Sequence, residues 1–112
     1  MPHVLTFDLG TTYLKAAVYD AVGRQVASAR ARNPVRHPQP DRAEVNPRDL
    51  LDALASLVRD LRAAADAAVN DVAALSYATQ TNSFILLDEH DRPLTPIVLW
   101  TDLRATGCDR EL

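Results

Sequence analysis

The stretch Val4–Asp20, VLTFDLGTTYLKAAVYD, leaves the chain few ways to fold. Val4, Leu5 and Phe7 make a short apolar run, the polar word Asp8-Leu9-Gly10-Thr11-Thr12 interrupts it, and a second apolar run follows from Leu14 to Tyr19. Two apolar runs on either side of a tight, glycine-containing turn predict a β-hairpin. Everything downstream has to pack against, or extend, that ribbon.

The turn carries the groups that an anion site requires. Gly10 has no Cβ, so backbone N–H groups there are open to close approach, and Thr11 and Thr12 add hydroxyl donors. Asp8 closes the first strand and is placed for a hydrated Mg²⁺, an ion that keeps much of its water and takes one or two carboxylates together with phosphate oxygens. The same five residue types are also ordinary turn formers, so the word by itself equally describes a plain hairpin bend. Among 12 basic residues Lys15 is the single lysine. On the second strand its compact ammonium faces the same cleft as Asp8 if it serves a transferring phosphate; chance in an arginine-biased composition explains it equally well.

Further along, Asp20-Ala21-Val22-Gly23 reads as a turn and Arg24 to Arg32 as a third strand, giving an antiparallel meander. Residues 33–46 contain Pro34, Pro38 and Pro40, which excludes a helix or an inner strand and predicts a crossing loop. Asn46-Pro47-Arg48-Asp49 is a helix start, with Asn at the N-cap, Pro in the first helical position and an acid at the third. Leu50, Leu54, Leu57, Val58, Leu61, Ala65 and Ala68 recur at three- and four-residue steps, predicting one apolar face, and Asn70 is placed as a left-handed terminal residue. Val72 to Thr79, almost continuously apolar or small, predicts a strand covered on both faces. A polar knot, Thr79 to Ser83, precedes the apolar run Phe84–Leu87 and a turn at residues 88–92; Leu94 to Trp100, interrupted by Pro96, suits an edge. Asp102 to Leu112 reads as a helix cut short with no terminal cap, so the chain is expected to be a fragment.

A net charge of −3 argues against nucleic acid as a partner. No apolar run has the length of a membrane span, of about 20 residues, and the start has no signal pattern, so a cytoplasmic protein that does not engage membranes is expected. Cys108 has no second cysteine to pair with and is expected to be a small buried or half-buried apolar residue. His3, His37 and His90 are scattered, without ligand spacing, and are expected at the surface.

Asp-x-Gly-Thr-Thr between two apolar strands resembles the first phosphate loop of the actin-like ATPases, which share a ribonuclease H-like fold and include sugar kinases and heat-shock chaperones. Three antiparallel strands, a helix and a further strand also match the opening order of that fold. The expected class is therefore α/β, with a mixed sheet that begins as a three-stranded meander. VNPRDL preceded by Glu44 resembles the E-x-x-P that opens the first long helix of the FGGY carbohydrate kinases. The stretch SYATQTNSFILLDEHDRPLTPIVLWTDLRA resembles the sugar-facing segment of the same family, ending in its Trp-x-Asp-x-Arg. Three motifs in the family's order cover nearly the whole chain, whereas the chaperones share only the first.

The resemblance implies an ATP-dependent kinase that phosphorylates a sugar or polyol, with ATP and Mg²⁺ as cofactors. It implies Asp8 for the metal, Gly10, Thr11, Thr12 and Lys15 for phosphate, and Gln80, Thr81, Asn82, Trp100, Asp102 and Arg104 for the sugar. Thr81 and Asn82 occupy positions held by Arg-Glu in glycerol kinases and Met-His in typical xylulose kinases. The departure leaves the sugar undecided, with a ketose favoured over glycerol. For these two residues a polar turn between strands is the plain alternative; for Trp100 it is a core position. Asp102 and Arg104 either fix hydroxyls or fix one another, and Asp102 also suits a helix N-terminus with no ligand. The family's general base, an Asp, and its adenine site are expected beyond Leu112, so residues 1–112 correspond to the N-terminal part of the first domain, with the rest of that domain and the second domain absent. A homo-oligomer is compatible with all of this. An ATP-driven chaperone-like protein and a non-catalytic sugar sensor of the same fold stand as alternatives.

Overall fold

A computed structural model describes residues 1–108. They fall into two compact units, one made of Met1–Asn33 and Leu51–Gln80, the other of Pro34–Leu50 and the chain from Thr81 on.

The first unit is built on the expected meander. Strands β1 (His3–Leu9), β2 (Tyr13–Tyr19) and β3 (Gln25–Arg32) pair antiparallel in sequence order, and β6 (Val72–Ala78) joins the free side of β1 in parallel, giving the order β3-β2-β1-β6. Gly23, at φ +85°, makes the bend between β2 and β3, where a side chain would be strained. Asp20 closes the same bend by accepting the N–H groups of Val22 and Arg24.

Helix α1 (Pro47–Asn70) connects β3 to the parallel partner of β1. Its start follows the capping logic: the Arg48 N–H donates to Asn46 Oδ1 at 2.9 Å, and Asp49 at the third position receives Arg36 at 2.7 Å. Leu57, Leu61, Ala68 and Val69 are its buried side chains, and those of the sheet, apart from Ala17 on its other face, are Leu14, Ala16, Val18 and Ala27. These are the two apolar faces of the unit, each removing the other from water.

The helix departs from expectation near its end. Ala65 has non-helical angles (φ −155°, ψ 60°), so α1 is kinked in a stretch of alanines, the best helix formers. Arg62 spans the break, bonding Asp66 at 3.0 Å and Asn70 at 2.6 Å. Asn70 ends the helix but is not left-handed; its amide is held by this network instead.

Strand β6 is a second departure. It is not covered on both faces: from Ala73 to Ala78 every residue is exposed, Leu75 to 57 % and Tyr77 to 67 %. It is the edge of the sheet, and its large apolar side chains Leu75 and Tyr77 stay more than half exposed. An apolar strand states a need for cover without supplying the cover.

In the second unit the segment expected as a crossing loop contains two short strands, β4 (Val35–Arg36) and β5 (Glu44–Val45), which with β7 (Ile97–Val98) form an antiparallel sheet of order β4-β5-β7. The prolines limit their length without abolishing pairing. Ala43, Val45 and Leu99 form its core, with Val35, Leu50 and Ile97 packed around them. Phe84 bridges Val98, and the turn after Leu87 is closed by Asp88, which accepts the N–H groups of His90 and Arg92. Residues 104–107 form a turn, and Asp102 and Leu103 are irregular, where the first turns of a helix were expected; the remainder of that expectation, past Cys108, lies outside the described residues. Cys108 is exposed, not buried. His37 and His90 are exposed, while His3 is mostly covered and bonds Asp71 at 3.0 Å. No helix among the described residues is long and apolar enough to cross a membrane.

Candidate functional site

In the first unit the β1–β2 register sets Asp8 opposite Lys15, and the β2–β3 register sets Lys15 opposite Arg30. Because side chains alternate across a strand, these three share the face turned away from Leu14, Ala16 and Val18. They line an open depression of about 540 Å³ together with Thr6, Ala17, Tyr19 and Ser28. Asp8 and Lys15 are both exposed. Among the described residues the Asp8 carboxylate forms no hydrogen bond or ion pair, and no three His, Cys, Asp or Glu side chains converge as ligands for a metal ion. A lone open carboxylate suits a hydrated Mg²⁺, whose remaining positions are filled by water and phosphate, and does not suit an ion that demands a full protein cage.

The turn beyond Asp8 is tightly built. A Cβ on Gly10 would lie 2.6 Å from the carbonyl oxygen of Tyr13, so glycine is required by close packing of the loop on its own backbone. Gln80, two residues past the end of β6, reaches back to it: its Nε2 donates to the Leu9 carbonyl at 3.3 Å, and its Oε1 accepts from the Thr11 hydroxyl at 3.2 Å. Gln80, expected to face a sugar, therefore spends its amide on the loop, and the Thr11 hydroxyl has a protein partner. Thr12 is exposed. Just past β3, Asn33 donates its Nδ2–H to the Gly10 carbonyl and its backbone N–H to the Thr12 carbonyl, each at 2.9 Å. Sequence reasoning passed over Asn33. The signal was available in the hairpin register, which places the residue after Arg32 opposite Thr12.

In the second unit, Thr81 and Asn82 lie exposed on a turn, with Asn82 at φ +60°, a conformation asparagine tolerates. The next residue, Ser83, accepts the Trp100 N–H on its hydroxyl at 3.2 Å, and Phe84 pairs with Val98, so the turn and Trp100 are neighbours. Trp100 is 54 % exposed, which removes the core explanation for it.

Asp102 and Arg104 fix one another. The Asp102 side chain is only 3 % exposed. Its two oxygens accept the Ala43 N–H (2.7 Å) and the Arg104 N–H (3.0 Å), Nε–H (2.8 Å) and Nη2–H (2.7 Å), which fills a carboxylate's four acceptor sites. Arg104 also donates to Glu44 at 2.7 Å. The Arg104 guanidinium holds the Asp102 carboxyl well below the usual carboxylate range; burial opposes this and the Ala43 N–H assists it. Asp102 and then Glu44 in turn raise Arg104. This triad braces the segment that carries Trp100.

Residues 3–112 match the N-terminal domain of the FGGY family of carbohydrate kinases. A xylulose kinase of Lactococcus lactis is 30 % identical over 112 residues, all of this chain and 22 % of the relative; a gluconokinase of Bacillus subtilis is 30 % identical over 105 residues, 94 % of this chain and 20 % of the relative. The crystal structure of a ligand-bound xylulose kinase from Lactobacillus acidophilus superposes with a TM-score of 0.86 at 30 % identity, over 99 % of this chain and 22 % of that one. The chain thus spans about a fifth of the length of these relatives. The mixed sheet with its antiparallel opening is the ribonuclease H-like fold of the actin-like ATPases. By a match that runs through the braced loop, the Asn82 turn and the Trp100 segment, the chain belongs to the FGGY family of carbohydrate kinases.

Proposed function

We propose that the protein transfers the γ-phosphoryl group of ATP to a hydroxyl of a sugar, of ketose type, and that residues 1–112 are the N-terminal part of its first domain. The observation that carries this reading is the β1–β2 hairpin: an open carboxylate and an open ammonium set opposite each other, next to a loop whose carbonyls are held by side-chain amides. Phosphoryl transfer needs little covalent help from a protein and much positioning and charge neutralisation, and that is what such a hairpin supplies.

In this reading Asp8 would hold a hydrated Mg²⁺, which would supply neutralisation of the phosphates' charge. The Gly10–Thr12 backbone and the Thr12 hydroxyl orient the phosphates. Lys15 offers a point charge toward the group in transfer. Thr81 and Asn82 bond sugar hydroxyls, Asn82 having both donors and an acceptor for a vicinal pair, and Trp100 offers a flat apolar wall. Gln80, Asp102 and Arg104 hold these groups in place. The general base and the adenine site belong to the protein beyond Leu112, and the enzyme acts in the cytoplasm.

The test is a coupled ADP-release assay on the full-length enzyme over ketoses, aldoses and polyols. A ketose is expected to give the highest kcat/KM. Asp8→Asn is expected to abolish turnover while leaving ketose binding intact. Turnover that persists in Asp8→Asn, or ADP release indifferent to every sugar offered, refutes the proposal.

A further inference from the structure

We infer that Asn33 is a positioning residue for the nucleotide phosphates, setting the tilt of the Gly10–Thr11 peptide through its side-chain amide; this rests on the phosphate-binding role proposed above for the loop. A trans peptide is planar, so the carbonyl of one residue and the N–H of the next point in opposite directions. Whatever holds the Gly10 carbonyl therefore also aims the Thr11 N–H, at the other edge of the same peptide plane.

Asn33 takes that carbonyl at 2.9 Å, while its own N–H takes the Thr12 carbonyl at 2.9 Å and continues the β2–β3 ladder by one step. Gln80 takes the carbonyl one residue earlier, at Leu9. Successive peptides of the loop are thus held by two side-chain amides, one from the residue after β3 and one from just past β6. A site held this way keeps its shape without reorganising when a phosphate arrives.

The position also carries a cost that stability alone does not explain. Asn33 Oδ1 is buried and has no hydrogen-bond partner among the described residues. A buried acceptor left unsatisfied is unfavourable, and an apolar residue there would avoid the loss. The compensating gain is the donor on Nδ2, which an apolar side chain cannot provide.

Two substitutions in the full-length kinase test this, read by calorimetric binding of Mg·ADP and, separately, of D-xylulose. Asn33→Asp keeps the size and replaces the donor with an acceptor that repels the Gly10 carbonyl; Asn33→Ala removes the group. Both are expected to weaken ADP binding about tenfold, the scale of one lost hydrogen bond, and to change D-xylulose affinity by less than about twofold. Asn70→Ala, at the far end of the helix, is expected to leave both unchanged. ADP affinity unaltered in both Asn33 variants overturns the inference, and so does an equal loss of ADP and D-xylulose affinity, which marks general loosening. A wild-type enzyme that binds no ADP sinks the phosphate role itself, and shows it before any substitution is made.

Discussion

Replacing Gly10 with alanine places a methyl carbon 2.6 Å from the Tyr13 carbonyl oxygen, and the two must separate by on the order of 0.5–1 Å to reach ordinary contact. The obstacle is backbone, so no side chain can rotate out of the way. The loop itself has to move, against the bonds from Asn33 and Gln80. Overpacking of this kind costs about 1–3 kcal/mol, and a displacement near 1 Å at a reacting group costs up to about a hundredfold in rate. We expect Gly10→Ala in the full-length enzyme to lower kcat/KM for ATP by about ten- to a hundredfold, with the sugar KM at saturating ATP little changed. Gly23→Ala is the matched control. There φ is +85° and nothing lies within 4 Å of an added Cβ, so that variant meets only left-handed strain of about 1–2 kcal/mol, at the opposite end of β2. It is expected to lower the melting temperature without touching turnover. Equal ATP kinetics in Gly10→Ala and wild type, or equal kinetic losses in the two variants, refutes the idea that the loop is sterically locked to its own backbone.

Withdrawing Mg²⁺ with a chelator is expected to abolish ADP release by the full-length enzyme and to spare D-xylulose binding measured by calorimetry; loss of both would tie Asp8 to structure and not to nucleotide. Leu57→Ala, at a fully buried position on α1, is expected to destabilise by about 2–5 kcal/mol in denaturant unfolding; a loss under about 1 kcal/mol would mean that the helix and sheet faces are not one core. The Arg104 guanidinium holds the Asp102 carboxyl well below its unfolded value of about 3.9, so its stabilisation is complete above that pH, declines progressively beneath it, and is gone only when the pH has fallen through the depressed folded value. The gap in melting temperature between wild type and Asp102→Asn should therefore narrow from about pH 6 to about pH 3 without closing; parallel curves would contradict the Arg104 pairing.

Elements decided by neighbouring residues were legible in the sequence. The hairpin, the bend at Gly23 and the start of α1 at Asn46 each depend on a few adjacent side chains, and the structure has all of them. The kink at Ala65 was not legible, because alanines carry no breaking signal and the bonds that stabilise the kink come from Arg62 and Asn70 on either side of it. Nor were the partners of the loop. Gln80 is 69 residues from Thr11, and that pairing exists only because β6 enters the sheet in parallel beside β1. Among the candidate site residues, position was legible where it depends on the hairpin alone: Asp8 and Lys15 lie exposed and opposite each other, as two strands around a tight turn require. Contacts between distant residues were not legible, as for Gln80 on the loop and Glu44 on Arg104, whereas the pairing of Asp102 with Arg104 was one of the two readings the sequence offered.

The second unit gives the physical reason for reading two distant signatures as one device. Glu44 stands three residues before Pro47, and Arg104 stands four after Trp100. Nothing in their spacing connects them. In the structure Glu44 lies on β5, Val45 pairs with Ile97, and the Leu99 N–H donates to the Ala43 carbonyl at 3.0 Å, so the strand before the helix and the strand before Trp100 are neighbours. Arg104 then closes the gap by holding Glu44 and Asp102 with the same nitrogen, each at 2.7 Å. A guanidinium presents several donors in a fixed plane and can serve two carboxylates at once, which an ammonium on a flexible stem does less well. Arg104→Lys should therefore behave as a loss of positioning: D-xylulose affinity should fall several-fold while ATP kinetics at saturating sugar stay near wild type. If Arg104→Lys matches wild type for the sugar, charge alone suffices at this position, and the planar fork is not what keeps Trp100 in place.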